Sequence, residues 1–119
     1  MYSSEAEIEA VVRGFETCET DKSEFKHRQH LTVAVWYLQD SETALDRMRA
    51  GLLRFIDHHG VPREKYNEAV TVYWINLIAE RLAELPLDAS LVTKCNYVIS
   101  SLVHKPASRV VTEESLATS

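Results

Sequence analysis

Two histidines three positions apart, His27 and His30, stand at the start of an apolar helical pattern in the segment EFKHRQHLTVAVWYLQ. Positions three and four apart share one face of a helix, so His27 lies in line with Leu31 and Ala34. An imidazole on such a face is either a core residue satisfied by its surroundings or a group that exchanges protons in a site. The residue pattern leaves both interpretations open.

Glu68 is the carboxylate that helical geometry indicates as a partner for these imidazoles. It stacks with Thr71, Val72 and Ile75 on a later helical pattern, so we expect its side chain to leave the charged surface. Burial of an isolated carboxylate is unfavourable, and a histidine at the same level would satisfy it. The sequence therefore predicts His27, His30 and Glu68 as the catalytic residues of an acid–base site.

The same three residues are the candidate metal ligands. Two histidines at i and i+3 can share one ion, and a carboxylate from a facing helix can supply a third ligand. The H-x-x-H spacing is a weak signal, because it lacks the glutamate and the i+4 spacing of zinc protease helices. A divalent metal at His27, His30 and Glu68 is thus one alternative. No nucleotide cofactor is expected, since no glycine-rich phosphate loop is present.

Four further residues are predicted to bind substrate around such a site. Asn67 and Thr71 lie on the helical pattern of Glu68 and would orient a ligand. Tyr37 and Trp74 would line a pocket between the second and fourth helices, although aromatic residues at helical spacing more often form core.

Two functions of different class follow from these residues. The first is a small enzyme that acts on a small polar molecule by isomerisation, elimination or hydrolysis, with histidine and glutamate as acid and base. The alternative is a non-catalytic small-molecule-binding or homodimeric interaction module, in which the histidines are polar residues inside the bundle. A solvent-reachable pocket shared by His27, His30 and Glu68 would favour the enzyme.

The elements that must position these residues are helices. Only 3 glycines and 3 prolines occur, and they fall between periodic segments, which predicts an all-α, single-domain bundle of about five helices over residues 1–119. The fourth helix is expected to be the central one, and residues 103–119 a partly ordered tail that packs over the bundle. The expected helices run from Ser4 to Glu19, from Phe25 or Lys26 to Asp40, from Ser41 to His59, from Pro62 to the break at Pro86, and from Asp88 to Leu102.

Composition limits the partners. Thirteen basic against 18 acidic residues give a net charge of −5, which argues against nucleic acid as a partner. The N-terminal segment MYSSEAEIEA lacks an apolar signal region, and no apolar run reaches the length of a membrane span, so a cytoplasmic protein is expected. Cys18 and Cys95 match no metal or disulfide spacing and are predicted to be small buried hydrophobic residues.

Two segments resemble an uncharacterised bacterial family of small helical proteins. FKHRQHLTVAVWYL is similar to the pattern F-x-H-x-x-H-L-x-x-A-x-x-Y-L, and KYNEAVT is similar to K-Y-H-E-T-x-T. The resemblance implies no reaction, but it marks the same His27, His30, Glu68 and Thr71. A looser third segment, DASLVTKCNYVISSL, adds Lys94 and Tyr97 as candidate substrate-binding positions.

This chain departs from the family pattern at two positions. Asn67 stands where the family has histidine, and Ala69 where it has threonine. An amide donates and accepts hydrogen bonds but is a poor ligand for soft metals. The departure therefore weakens the metal interpretation more than the acid–base one.

Overall fold

The described part of the chain, residues 1–103 of a computed structural model, is entirely helical and contains no strand. The predicted all-α class is confirmed. Residues 104–119, most of the predicted tail, lie outside the described part. No helix within residues 1–103 combines the length and apolar character needed to cross a bilayer. The helices are α1 (Glu5–Glu16), α2 (His27–Tyr37), α3 (Ala44–His58), α4 (Glu68–Leu82) and α5 (Leu91–Leu102), with a short 3-10 helix at Arg63–Lys65.

The central helix is α2, and the prediction that the fourth helix is central is wrong. α2 packs against each of the other four helices. Residues 31–35, one and a half turns, are all buried, so no face of this stretch reaches solvent. A helix that is apolar all round is a buried helix, and the run LTVAV has this property. The histidines at the start of α2 are therefore carried by the most enclosed element of the fold.

Helix α1 begins as predicted and ends earlier. Ser4 is its N-cap, with the Glu7 amide donating to Ser4 Oγ at 3.4 Å and the Ser4 amide donating to Glu7 Oε1 at 3.1 Å. The helix ends at Glu16 instead of Glu19. Cys18 adopts a left-handed conformation with φ of 64°, which stops the helix. Both cysteines are free thiols and buried, as the sequence predicted.

Three helices start later than predicted: α3 at Ala44 instead of Ser41, α4 six residues after Pro62, and α5 with an N-cap two residues after Asp88. Pro62 has extended backbone and precedes the short 3-10 helix, and α4 begins only at Glu68. Its N-cap is Asn67, whose Oδ1 accepts from the Val70 amide at 3.1 Å. Helix α5 is capped by Ser90 instead of Asp88, because Ser90 Oγ accepts from the Thr93 amide at 3.1 Å.

Three phenylalanines form an aromatic core between α1, α2 and α3. Phe15 stacks on Phe25 with ring centroids 4.7 Å apart, and Phe55 lies 5.0 Å from Phe25 and 5.5 Å from Phe15. Gly51 of α3 faces this core, since a Cβ there would come within 2.6 Å of Phe15 Cε2. The ring of His30 lies at the edge of the same core, 4.3 Å from Phe25.

The N-terminal residues are held on α2 and α5. Asn96 Oδ1 accepts from the Tyr2 amide at 3.0 Å, and Asn96 Nδ2 donates to the Tyr2 carbonyl at 3.0 Å. The Tyr2 hydroxyl bonds Thr32 Oγ1 at 2.9 Å, and Thr32 is fully buried. Thr32 Oγ1 also donates to the Arg28 carbonyl at 2.9 Å, so Tyr2 adds a second bond to this buried hydroxyl and ties the N-terminus to α2 and α5.

Candidate functional site

His30 is a buried imidazole whose two ring nitrogens have no hydrogen-bond partner. Its exposed fraction is only 7%, and its ring packs against Phe25. Burial, with a smaller contribution from nearby His27, lowers the pKa of His30 to about 3. The ring is therefore neutral near pH 7. Each neutral imidazole offers one donor and one acceptor, and here both are unused.

His27 is the first residue of α2, and its ring is fixed by the end of α5. Its Nε2 lies 3.2 Å from the carbonyl oxygen of Leu102. A carbonyl can only accept, so Nε2 carries the proton and the neutral ring has its lone pair on Nδ1. The hydrogen bond made by one ring nitrogen sets the tautomer of an imidazole, and a backbone carbonyl often accepts it.

Trp74 of α4 lies against His27, and His30 follows His27 by three positions on α2. The His27 ring meets the indole edge-on, with ring centroids 4.9 Å apart. Trp74 is 5% exposed, and its Nε1 is buried without a hydrogen-bond partner. His27 contacts this indole and also acts electrostatically on His30. We call these three residues the His27–His30–Trp74 cluster.

Glu68 does not lie with the histidines, and the expectation that its side chain faces the interior is wrong. The carboxylate is 46% exposed and is held by Arg49 of α3, with Nη2 2.5 Å from Oε2 and Nε 2.9 Å from Oε1. The Tyr66 hydroxyl donates to Oε1 at 2.7 Å. The Arg49 bonds, with help from Tyr66, lower the pKa of Glu68 to about 2.

Asn67 and Thr71 build the start of α4. Asn67 caps the helix, and Thr71 Oγ1 donates to the Asn67 carbonyl at 3.2 Å. Thr71 is 2% exposed, so this bond satisfies a buried hydroxyl. Asn67 therefore has a structural role as the N-cap of α4.

Tyr37 and Tyr97 are engaged away from the cluster. Tyr37 lies at the far end of α2, ten residues or about 15 Å from His27 along the helix. It is buried, and its hydroxyl donates to Glu16 Oε2 at 2.6 Å. The Tyr97 hydroxyl donates to Glu84. Lys94 is half-buried on α5.

The predicted metal ligands do not assemble. Within residues 1–103, no group of three or more histidine, cysteine, aspartate or glutamate side chains could hold a metal ion. The predicted set fails at Glu68, because its oxygens are directed to Arg49 and Tyr66. The cluster that does form has an indole nitrogen, which is a donor only, in place of a carboxylate.

Sequence reasoning missed the partners of these residues. Arg49 of α3 reaches α4, and Arg47 lies over the Tyr37 ring with its Cζ 4.8 Å from the centroid. No spacing rule links Arg49 to Glu68, which are 19 positions apart. The bond between His27 and the Leu102 carbonyl could not be predicted, because every residue has a backbone carbonyl and the sequence does not distinguish one from another.

Comparison of the chain with protein-family models, curated proteins and solved structures gave no match. The resemblance of the histidine segment to a bacterial family therefore stays a prediction. What the residues can do must be argued from the geometry alone.

Proposed function

We propose that this protein binds a small polar molecule at the His27–His30–Trp74 cluster and moves a proton on it. The observation that supports the proposal is the pair of unpartnered ring nitrogens on buried His30. Leaving a buried polar group without a partner costs about 1–3 kcal/mol. An apolar side chain of similar volume would avoid that cost. Binding of a ligand would give these nitrogens hydrogen-bond partners, and a role in function would explain why an imidazole is kept here at a cost in stability.

The two imidazoles have different parts in this proposal. His27 has its tautomer set by Leu102, and the form with the lone pair on Nδ1 accepts a proton. His30, with its pKa lowered to about 3, is a weak base at neutral pH. A neutral imidazole can still donate a hydrogen bond that polarises a bound carbonyl. His27 would thus transfer the proton while His30 holds the substrate.

The proposed reaction is isomerisation, elimination or hydrolysis of the bound molecule. Each of these needs a proton taken from or given to the substrate, and one oriented imidazole can do both in turn. Glu68 has no part in this scheme, because a carboxylate with a pKa near 2 and an arginine partner is a very weak base at neutral pH.

Non-catalytic binding is the second candidate, and the position of Glu68 favours it. The predicted acid–base pair of histidine and carboxylate is not formed, since Arg49 takes the carboxylate. The unpartnered nitrogens of His30 and Trp74 would still hold a ligand. The same residues would then bind and release a small molecule unchanged.

The test compares wild type with His30→Leu. We expect one class within a panel of small amides, alcohols, carboxylates and amines to raise the Tm of wild type and leave that of His30→Leu unchanged. The same substitution at exposed His58 is the matched control and should keep the response. A panel without effect on wild type would refute the proposal.

A second measurement separates catalysis from binding. The stabilising compound is kept with the protein in deuterated water, and its C–H signals are followed by NMR. Proton transfer at carbon, as in isomerisation or elimination, incorporates deuterium, and hydrolysis gives new product signals. Both should be lost in His27→Gln. Tight binding without either change would make the protein a binding module.

A further inference from the structure

We infer that the molecule bound by the His27–His30–Trp74 cluster is a small organic carboxylate. This rests on the proposed function, because it names the class of ligand for the same site. The starting observation is the Trp74 indole nitrogen, buried and without a partner. An indole N–H only donates, so the group that bonds it must be an acceptor.

His30 supplies a second buried donor to the proposed site. Neutral His30 donates through one of its two unpartnered nitrogens, whichever tautomer it adopts. A carboxylate has two oxygens with about four lone-pair positions, enough to accept from Trp74 and His30 together. An amine offers donors only and would leave the indole unsatisfied.

The charges around the cluster agree with an anionic ligand. Within residues 1–103, the electrostatic influence on His30 comes from His27, another base. Glu68, the carboxylate expected beside them, is neutralised by Arg49. His30 and Trp74 have no carboxylate among their hydrogen-bond partners, so a cation bonded to these two side chains would be buried at a high cost.

An anion is also favoured over a neutral ligand of the same shape. A bound carboxylate stabilises the charged form of a neighbouring imidazole, which can take up a proton as the ligand enters. Hydrogen bonds between ionised partners are roughly twice as strong as those between neutral ones. No lysine or arginine belongs to the cluster, which suits a singly charged carboxylate better than a phosphate dianion.

The experiment uses the two tryptophan indole signals of the 15N-labelled full-length protein. Sodium acetate is titrated against sodium chloride at equal ionic strength, and acetamide and methylammonium chloride serve as neutral and cationic probes of similar size. We expect acetate to shift the Trp74 signal saturably and to leave that of Trp36 in place. Acetamide should bind at least about tenfold more weakly, and methylammonium should have no effect.

Two variants locate the binding. His30→Leu should weaken acetate binding by about tenfold or more, while His58→Leu should leave it unchanged. Trp74→Phe keeps an aromatic ring but lacks the N–H, and the His30 backbone amide then reports the weaker binding. Acetate binding that survives both His30→Leu and Trp74→Phe would place the anion elsewhere and overturn the inference.

The outcomes distinguish this inference from the function on which it rests. If acetamide or methylammonium binds as tightly as acetate, a ligand site exists but the carboxylate class is wrong. If no acetate shift saturates while other compounds raise the Tm of wild type, the inference is again wrong and the proposed function stands. If no compound of either set binds, both are wrong.

Discussion

Arg49 of α3 donates hydrogen bonds from Nε and Nη2 to the two carboxylate oxygens of Glu68, the first residue of α4. A second carboxylate, that of Asp46, bonds the same guanidinium through Nη1 at 2.8 Å. The two-oxygen geometry gives the pair a defined orientation that a single contact would lack. It joins two helices and keeps Glu68 away from the imidazoles of α2.

Replacing Arg49 by methionine should release Glu68. We expect the pKa of Glu68 to rise from about 2 towards the ordinary 4.5, because the arginine bonds are the main cause of its depression. The carboxylate is exposed, so the loss of stability at neutral pH should be under about 1 kcal/mol. NMR titration of the Glu68 carboxyl carbon measures the first effect and urea denaturation the second.

Arg81→Met is the matched control, since Arg81 bonds Glu84 in another exposed pair. It should leave the titration of Glu68 unchanged. A Glu68 carboxyl that still titrates near 2 in Arg49→Met would mean that Tyr66 or another group holds it.

The buried imidazole of His30 should make the protein less stable in acid. The pKa of His30 is lowered from 6.5 to about 3 on folding. Between these values the unfolded chain binds a proton that the folded chain does not. Stability from this residue is therefore complete above about pH 6.5, and it falls by up to about 1.4 kcal/mol per pH unit on the way to pH 3.

Urea denaturation at several pH values, for wild type and His30→Leu, checks this slope. The difference between the two proteins isolates His30 from carboxylates such as Glu68 that titrate in the same acid range. His30→Leu should be the less pH-sensitive protein, whereas His58→Leu should follow wild type. Parallel curves for wild type and His30→Leu would show that the imidazole is protonated in the folded state.

Tyr37→Phe should destabilise the fold by about 1 kcal/mol without affecting the cluster. The substitution removes the hydrogen bond to Glu16, which joins α1 to α2. Burial, with a smaller effect of Glu16, raises the pKa of this phenol, so it stays protonated as a donor. Thermal denaturation measures the loss, and exposed Tyr73→Phe should be neutral. Loss of ligand binding in Tyr37→Phe at full stability would restore this residue to the site.

Gly51→Ala should cost about 1–3 kcal/mol, because the new methyl group would overlap the Phe15 ring. The ring cannot easily move, since Phe25 and Phe55 pack against it. In a Phe15→Leu background the smaller side chain leaves room, and the further cost of Gly51→Ala should fall. Equal costs in the two backgrounds, measured by urea denaturation, would show that the clash does not control the stability.

The helical class and the inward histidines were predictable, because both depend on local spacing. The apolar period of each helix and the scarcity of glycine and proline were enough to predict the all-α fold class. The helical spacing predicted inward imidazoles, and His30 is buried while His27 is half-buried. Helix starts were less certain, since several residues near Pro62 and Asp88 can cap a helix and tertiary packing chooses between them.

The partner of Glu68 could not be predicted from the helical face alone. The first residue of a helix has no preceding turn to cover it, so its side chain can point outwards to a neighbouring helix. Arg49 lies on a different helix, and only the packing of α3 beside α4 brings it within reach. The central position of α2 was visible in its uninterrupted run LTVAV, whereas the length and apolar character of the fourth helical pattern favoured α4 instead.

The paired hydrogen bonds between Tyr2 and Asn96 join residues 94 positions apart. Contacts of such long range form only after the intervening chain has been ordered, so the Tyr2–Asn96 hydrogen bonds should be among the last to form during folding. They should equally be among the first to open, exposing α1 and α5 to hydrogen exchange together. His27 bonds the last carbonyl of α5, so the same opening would disturb the histidine cluster.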